Sequence, residues 1–342
     1  MYNHSSKRLV ITMTVGICLI IVTSYLSLVS GTFDFALMDV IRTLLRINPV
    51  ADYDLVIFEF RLPRIVIAGL VGLALGIAGA VIQGVTRNGL ADSGILGINA
   101  GAGTAIVIFM FFFQGTYIGS GSDWLPIMSV PLFGLIGGIL AALIIFLFSW
   151  KNGSLDTSRF LLTGIAIGSA FGALSLYISL KMKSSDFEMA TVWISGSIYS
   201  ANWKYIIAML PWLMILIPII IKKAYLLDLF QLEQTSIKSL GISVERETSI
   251  LLLSSIGLVS ACVSVSGNIG FIGLMSPHIA KHLVGIHHKH VLPVCGVIGA
   301  FLVIASDYIA KTVFAPAELP VGIVISIIGV PYFLYLLIKE KR

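Results

Sequence analysis

Two arginines three residues apart, Arg61-Leu-Pro-Arg64, stand directly before Ile65–Thr86, a run with no charged residue. Fixed cations at the mouth of a membrane-length apolar stretch suit one chemistry above others: gripping an acidic partner at a membrane surface through charge-assisted hydrogen bonds. Asp307 and Lys311 form a second charged pair, one helical turn apart and in reach of an i,i+4 ion pair. His278 and His282 share that spacing, as a metal-binding pair would. No Glu accompanies them, so a structural or interfacial role is preferred for both. No nucleophile, base or metal cluster forms a catalytic pattern, and no Gly-rich phosphate loop of the Walker type is present. The chain is therefore not expected to be an enzyme, to bind ATP by that route, or to hold a metal or cofactor.

The elements that carry these residues follow from composition. The 342 residues are 57% hydrophobic and only 11% charged, with a mean hydropathy of +1.00. Globular domains carry roughly 25% charged residues, so too few polar groups exist here to cover a water-exposed surface. The chain reads as an all-α polytopic membrane protein. Runs free of Asp, Glu, Lys and Arg are Leu9–Phe33, Ile65–Thr86, Ser93–Ser122, Trp124–Trp150, Phe160–Leu180, Tyr205–Ile221, Thr248–Ala280, Val291–Ser306 and Leu319–Ile338. A span needs about 20 apolar residues. Thr248–Ala280 is too long for one, and its turn-like Ser266-Gly-Asn-Ile-Gly270 divides it in two, which makes about ten transmembrane helices. A β-barrel is excluded, because its strands would alternate with period two. Lys7-Arg8 before the first run resembles a signal peptide, but no small-residue cleavage site closes the run, so it reads as an uncleaved first helix. Cys18, Cys262 and Cys295 show no pair spacing and read as inert small hydrophobes.

Ten spans put both termini on one side, and the distribution of cations favours the cytoplasm. Arg42, Arg46, Arg61, Arg64, Lys181, Lys183, Lys204 and Lys311 then lie outside, and the first four of these fall in one loop. The chain reads as one multi-pass domain, 1–342, in the cell (plasma or inner) membrane. An extracellular loop at 31–60 and a cytoplasmic segment at 223–247 are both long enough to fold. In the latter, Leu227, Phe230, Ile237 and Leu240 at near-helical spacing predict one or two short amphipathic helices against the membrane face.

Within the spans, Ala68, Gly72, Gly76 and Ala80 recur every fourth residue and form a ridge that lets helix backbones approach closely. Packing is the favoured role of this ridge, with pathway lining as the alternative. Asp307 is the one acid well inside an expected span, which is poor equipment for coupling transport to protons or sodium. Pro277, Pro293, Pro316, Pro320 and Pro331 crowd the C-terminal third. Such helices, with carbonyls freed by proline, suit packing around a water-filled passage.

Several segments match a known family in order and spacing, from about Val56 to the C-terminus. They are Arg61-Leu-Pro-Arg64, Gly79-Ala-Val-Ile-Gln-Gly84, Thr86-Arg-Asn-Gly-Leu-Ala-Asp92 and Gly94-Ile-Leu-Gly-Ile-Asn-Ala-Gly101. Later come Gly270-Phe-Ile-Gly-Leu-Met-Ser-Pro-His278, Ala317-Glu-Leu-Pro-Val-Gly322 and Ile328-Gly-Val-Pro-Tyr-Phe333. Together they resemble the permease subunits of ABC importers for iron chelates (siderophores) and cobalamin, the FecCD/BtuC-like family. The resemblance implies a BtuC-like permease fold with ten helices per subunit and a central pathway between two permeases, identical or related. It also implies two separate ATPase subunits on the cytoplasmic face and an extracellular substrate-binding lipoprotein that delivers an iron-chelate ligand; no nucleic acid is involved.

The family's docking cations match Arg61, Arg64 and Lys311, so two roles compete for Lys311: docking and pairing with Asp307. Its ATPase-contacting element matches Leu232–Ile242, with Leu232, Glu233, Ile237, Lys238, Leu240 and Gly241 as the coupling residues. Glu233-Gln234 stands where Gly-Glu is common, and Ser236-Ile237 where two alanines are. Gly72, Gly76, Ala80 and Pro277 are the packing or pathway candidates. The expected function is uptake of an iron–siderophore complex; a cobalamin or haem importer, an ion-coupled secondary transporter and a membrane-embedded enzyme are the rivals.

Overall fold

The computed structural model describes residues 2–30, 35–47, 50–94, 96–117, 124–151, 154–315 and 317–340. It opens with α1 (Tyr2–Val29), followed by the short α2 (Leu37–Leu44) and α3 (Ala51–Asp54). A wide π-helical turn, Leu55–Arg61, runs unbroken into α4 (Leu62–Thr86). Then come α5 (Ile98–Tyr117), α6 (Trp124–Ser149) and α7 (Thr157–Ser179), with a two-residue antiparallel hairpin between the last two, β1 (Trp150–Lys151) and β2 (Ser154–Leu155). The remainder is α8 (Ser184–Ile194), α9 (Trp203–Lys222), α10 (Ala224–Leu229), α11 (Gln234–Ser239), α12 (Val244–Ser266), α13 (Ile272–Val284), α14 (His288–Thr312) and α15 (Val321–Glu340).

Helix boundaries follow local chemistry. Pro63 sits in the first turn of α4, where its missing N–H would have had no partner. Asp156 and Asn202 cap α7 and α9 by accepting the N–H groups of Arg159 and Tyr205. Among the described residues, eight helices are long and apolar enough to cross a membrane. The shorter apolar stretch Ile98–Phe113 of α5 adds to these, roughly in line with the ten expected. The break in the long apolar run falls where it was predicted: α12 ends at Ser266 and α13 begins at Ile272.

α4 is the axis of the bundle. It is apolar all round and buried along almost its whole length, as a helix with no lipid-facing side must be. It packs against α14, α12, α13 and α9. Its small residues set those distances: a Cβ at Gly72 would lie 2.2 Å from the carbonyl oxygen of Gly299, one at Gly76 2.3 Å from that of Cys295, and one at Gly79 2.1 Å from that of Gly273. Ala68 and Ala80 are fully buried on the same helix. The outer helices turn apolar side chains outward instead, as on α1 at Val10, Ile11 and Val15.

Prolines interrupt helices more widely than the C-terminal third: Pro131 lies within α6 and Pro211 and Pro218 within α9, besides Pro277, Pro293 and Pro331 in α13, α14 and α15. Pro316 lies outside the described residues. Cys18, Cys262 and Cys295 are all free thiols.

Candidate functional site

Three places on the bundle carry polar chemistry: the end where α4 begins, the opposite end where it finishes, and a cavity between.

At the first end, the segment before α4 folds back into a cap. Arg46 pairs with Asp54 at 2.5 Å and lies over the ring of Phe58, while Phe35 meets Tyr53 edge-on. Arg61 donates from Nη1 to the carbonyls of Leu28 and Val29, where α1 leaves two of its last acceptors unpaired. Its guanidinium also stacks over Phe35, 4.6 Å from the ring centre. Arg64 turns inward: Nε reaches Asp307 Oδ1 at 2.9 Å and Nη2 the same oxygen at 2.8 Å, a fork on a carboxylate that is 1% exposed. Its remaining edge, Nη1, meets Glu318 Oε2 at 2.7 Å.

This arrangement corrects the pairing expected for Asp307. Its ion-pair partner is Arg64, and Lys311 donates instead to the carbonyl and hydroxyl oxygens of Ser27 on α1. Lys311 is only 9% exposed. It is thus turned away from the surface that a docking cation needs, and fastens α14 to α1 from within. A guanidinium outcompetes a single ammonium here because two of its N–H groups converge on one carboxylate, Nε also reaching Oδ2 at 3.1 Å.

At the opposite end, α10 and α11 lie across the helix termini, two short helices in the segment where one or two were expected. Asp228 accepts the His288 backbone N–H at 2.9 Å and contacts its ring Nδ1 at 2.6 Å, joining α10 to the start of α14. Arg87, in the left-handed conformation that ends α4, donates to the Leu232 carbonyl at 2.8 Å. Lys223 pairs with Glu247, and Lys238 with Glu245 at 2.6 Å, tying both flanks of the segment to α12. Ile237 is fully buried, whereas Leu232 and Leu240 are 48% and 62% exposed. Ile237 is therefore the anchor of this element rather than a contact for a partner. Leu232, Glu233, Lys238, Leu240 and Gly241 face outward.

Between the two ends lies a cavity of about 880 Å³. Its wall includes Asp92, Ser195, Asn268, Phe271, Gly322 and Ser326, drawn from places where helices stop or start. Such irregular backbone is tolerated at membrane depth only where protein or a water-filled space receives it. Gly196 and Gly267 hold φ of +79° and +67°, and the Gly322 N–H donates to the Gly196 carbonyl at 2.9 Å. Asn99 Nδ2 donates to Asn268 Oδ1 at 2.7 Å. Asp92 is 5% exposed and accepts the Gly94 N–H at 3.3 Å. Sequence reasoning did not single out Asp92, because it stands in a polar turn between two apolar runs. The signal available was Asn, Asp and Gly in two separate turns, Asn88–Asn99 and Gly267–Gly270.

Of the packing or pathway candidates, Gly72, Gly76 and Ala80 lie in the α4 contacts described above. Pro277 is buried in α13. His278 and His282 share α13, but among the described residues no group of three or more His, Cys, Asp or Glu side chains is placed to hold a metal ion.

Comparison with known proteins agrees with this architecture. The FecCD transport family profile matches residues 19–339. The iron-uptake system permease protein FeuC of Bacillus subtilis (strain 168) is 52% identical over 326 residues, covering 95% of this chain and 96% of FeuC. The iron(3+)-hydroxamate import system permease protein FhuG of the same organism is 43% identical, with full coverage of both. A structure described as a metal-chelate type ABC transporter in an inward-facing conformation superposes with a TM-score of 0.80 at 26% identity, covering 96% of this chain and 98% of that one. The chain belongs to the FecCD transport family.

Proposed function

We propose that this chain is the permease subunit of an ABC importer that carries an iron–siderophore complex across the cell membrane. The observation that carries the reading is the Leu232–Ile242 element. It is a short helix pinned by Ile237 at one end of a membrane bundle, with Leu232 and Leu240 turned outward. Exposed leucines beside charged groups on a rigid mount suit a partner that pushes there. ATP hydrolysis then belongs to two separate ATPase subunits.

The single domain, 1–342, crosses the membrane with both termini in the cytoplasm. That puts the coupling segment 223–247 inside and the loop 31–60 outside. An extracellular binding lipoprotein docks at the arginine end, with Arg61 and the outer edge of Arg64 receiving its acidic groups. A second permease, identical or related, completes the pathway. ATP closes the ATPases, the coupling element moves α10 and α12, and the breaks around the cavity switch access from one side to the other. Nucleotide biases a two-state equilibrium of the helices. The iron-chelate cargo follows from the names of the relatives, FeuC and FhuG; cobalamin and haem are the alternatives.

Purification from native membranes in mild detergent is expected to bring a stoichiometric ATPase subunit. In proteoliposomes, uptake of radioiron supplied as a ferric hydroxamate should require ATP and survive an uncoupler. Uptake that proceeds without ATPase subunits and collapses with the uncoupler would return the chain to the ion-coupled carriers. Transport of labelled cobalamin or haem in place of the iron chelate would change the cargo.

Gly241 gives a sharper test of the coupling element. It holds φ of +76° at the end of α11, and a Cβ there would meet nothing within 4 Å. Gly241→Val should therefore cost only the backbone strain, about 1–2 kcal/mol, while tilting Leu240. The expected result is a near-normal melting temperature in detergent with ATP-driven uptake reduced by tenfold or more. Unimpaired uptake would remove the coupling role.

A further inference from the structure

We propose that Glu318 is an exchangeable counter-ion for Arg64: it occupies the guanidinium's outer edge until a carboxylate of the docking protein replaces it, and its departure frees the start of α15. The proposal rests on the docking role given above to the arginine end.

The geometry divides Arg64 into a fixed half and a replaceable half. Nε and Nη2 are committed to Asp307, which is 1% exposed, and releasing them would strand a buried carboxylate. Nη1 is committed to Glu318, whose side chain is 31% exposed. A partly hydrated carboxylate gives up its ion pair at little cost, because water takes over part of its solvation. An acidic group arriving from outside can therefore reach only Nη1, and there it must compete with Glu318. Arg61, Arg64, Asp307 and Glu318 all lie within electrostatic reach of Lys311, so three cations face two anions around it. With Glu318 displaced, the corner gains one net positive charge for the incoming acid.

Glu318 is also well placed to report its displacement. It stands three residues before Val321, where α15 begins. The next turn is fitted closely to the cavity wall: the Gly322 N–H donates to Gly196, and a Cβ at Gly322 would lie 2.2 Å from the Ser195 carbonyl oxygen. Gly322, Ile323 and Ser326 line the cavity. A shift at Glu318 thus acts on cavity-lining residues through a few bonds of chain. Glu318 is a positioning residue for the docked state, with no contact to cargo required.

The test is a titration of the purified, unloaded binding protein onto the complete transporter in lipid nanodiscs, with ATPase rate as a second readout. Glu318→Gln keeps shape and removes charge. It is expected to lower the Kd for the binding protein about two- to fivefold and to raise the basal ATPase rate toward the docked rate. Arg61→Glu, which leaves the Arg64–Glu318 pair untouched, tests docking itself and should weaken binding more than tenfold. Unchanged or weaker binding by Glu318→Gln, with Arg61→Glu still weakened, overturns the exchange and leaves docking standing. Unchanged binding by Arg61→Glu overturns both. A Glu318→Gln complex that fails to assemble would make Glu318 a structural clamp and overturn the exchange.

Discussion

Arg64→Ala is expected to lower the stability of the permease by about 3–5 kcal/mol, the usual cost of removing one partner of a buried pair. Asp307 is 1% exposed, and after truncation its carboxylate keeps no comparable donor, since Lys311 is committed to Ser27. The double variant Arg64→Ala/Asp307→Asn should recover a large part of that loss, because it removes the stranded charge as well. The measurement is a melting curve in detergent for the two single variants and the double. Equal melting temperatures for Arg64→Ala and the double variant would show that the pair does not act as a unit. The result also bears on charge reversal. An Arg64→Glu variant would fail through folding before docking could be judged, so Arg61 is the cleaner probe of the surface.

The second large effect is expected where α4 meets its neighbours. Gly72→Leu and Gly79→Leu should exceed the 1–3 kcal/mol typical of overpacking, and most of the chain should be recovered aggregated or degraded. The reason lies in what the new side chain would meet. A Cβ at Gly79 falls 2.1 Å from a backbone oxygen and 2.3 Å from the Cα of Gly273, and neither can rotate away as a side chain could. Only translation of α13 or α14 would relieve it, and that would break contacts along the whole groove. Gly172 supplies the control: it lies within α7, and a Cβ there meets nothing within 4 Å. Gly172→Ala should leave the melting temperature unchanged or slightly raised, through the reduced freedom of the unfolded chain. Fluorescence-detected size exclusion after heating separates the outcomes, and a well-behaved Gly79→Leu chain would contradict the close approach.

The eight long helices could be read from charge-free runs because lipid imposes length and apolarity on a span, whatever its neighbours. The split at Ser266–Gly270 was visible for the same reason, as a turn inside a run too long for one crossing. Periodicity also placed Leu227, Phe230 and Ile237 on a buried face, with exposures of 0%, 3% and 0%. Leu240 carried the same periodic signal and yet is 62% exposed, because the helix stops at Ser239 and the chain turns at Gly241. The partner of Asp307 was illegible for a different reason. Spacing along a helix nominates Lys311, whereas the actual donor is 243 positions away and reaches it only after α4 and α14 have packed. The lining of the cavity was hidden likewise, since the fold alone brings the turns at Asp92, Ser195 and Asn268 against the first half of α15.

α13 has a consequence for how the chain is made. At 13 residues it is about 20 Å long, well short of a hydrocarbon layer of about 30 Å. It also carries Lys281 and two histidines. Lipid alone offers such a segment too little to hold it across the bilayer; its place is held by α4 and α14. During synthesis α4 is already present when α13 leaves the ribosome, but α14 is not. The segment must therefore wait at the insertion machinery, or at the membrane surface, until the following helix completes its groove. Biogenesis of this subunit thus has a built-in late step, and a chain truncated before α14 would be a substrate for membrane quality control rather than a smaller permease.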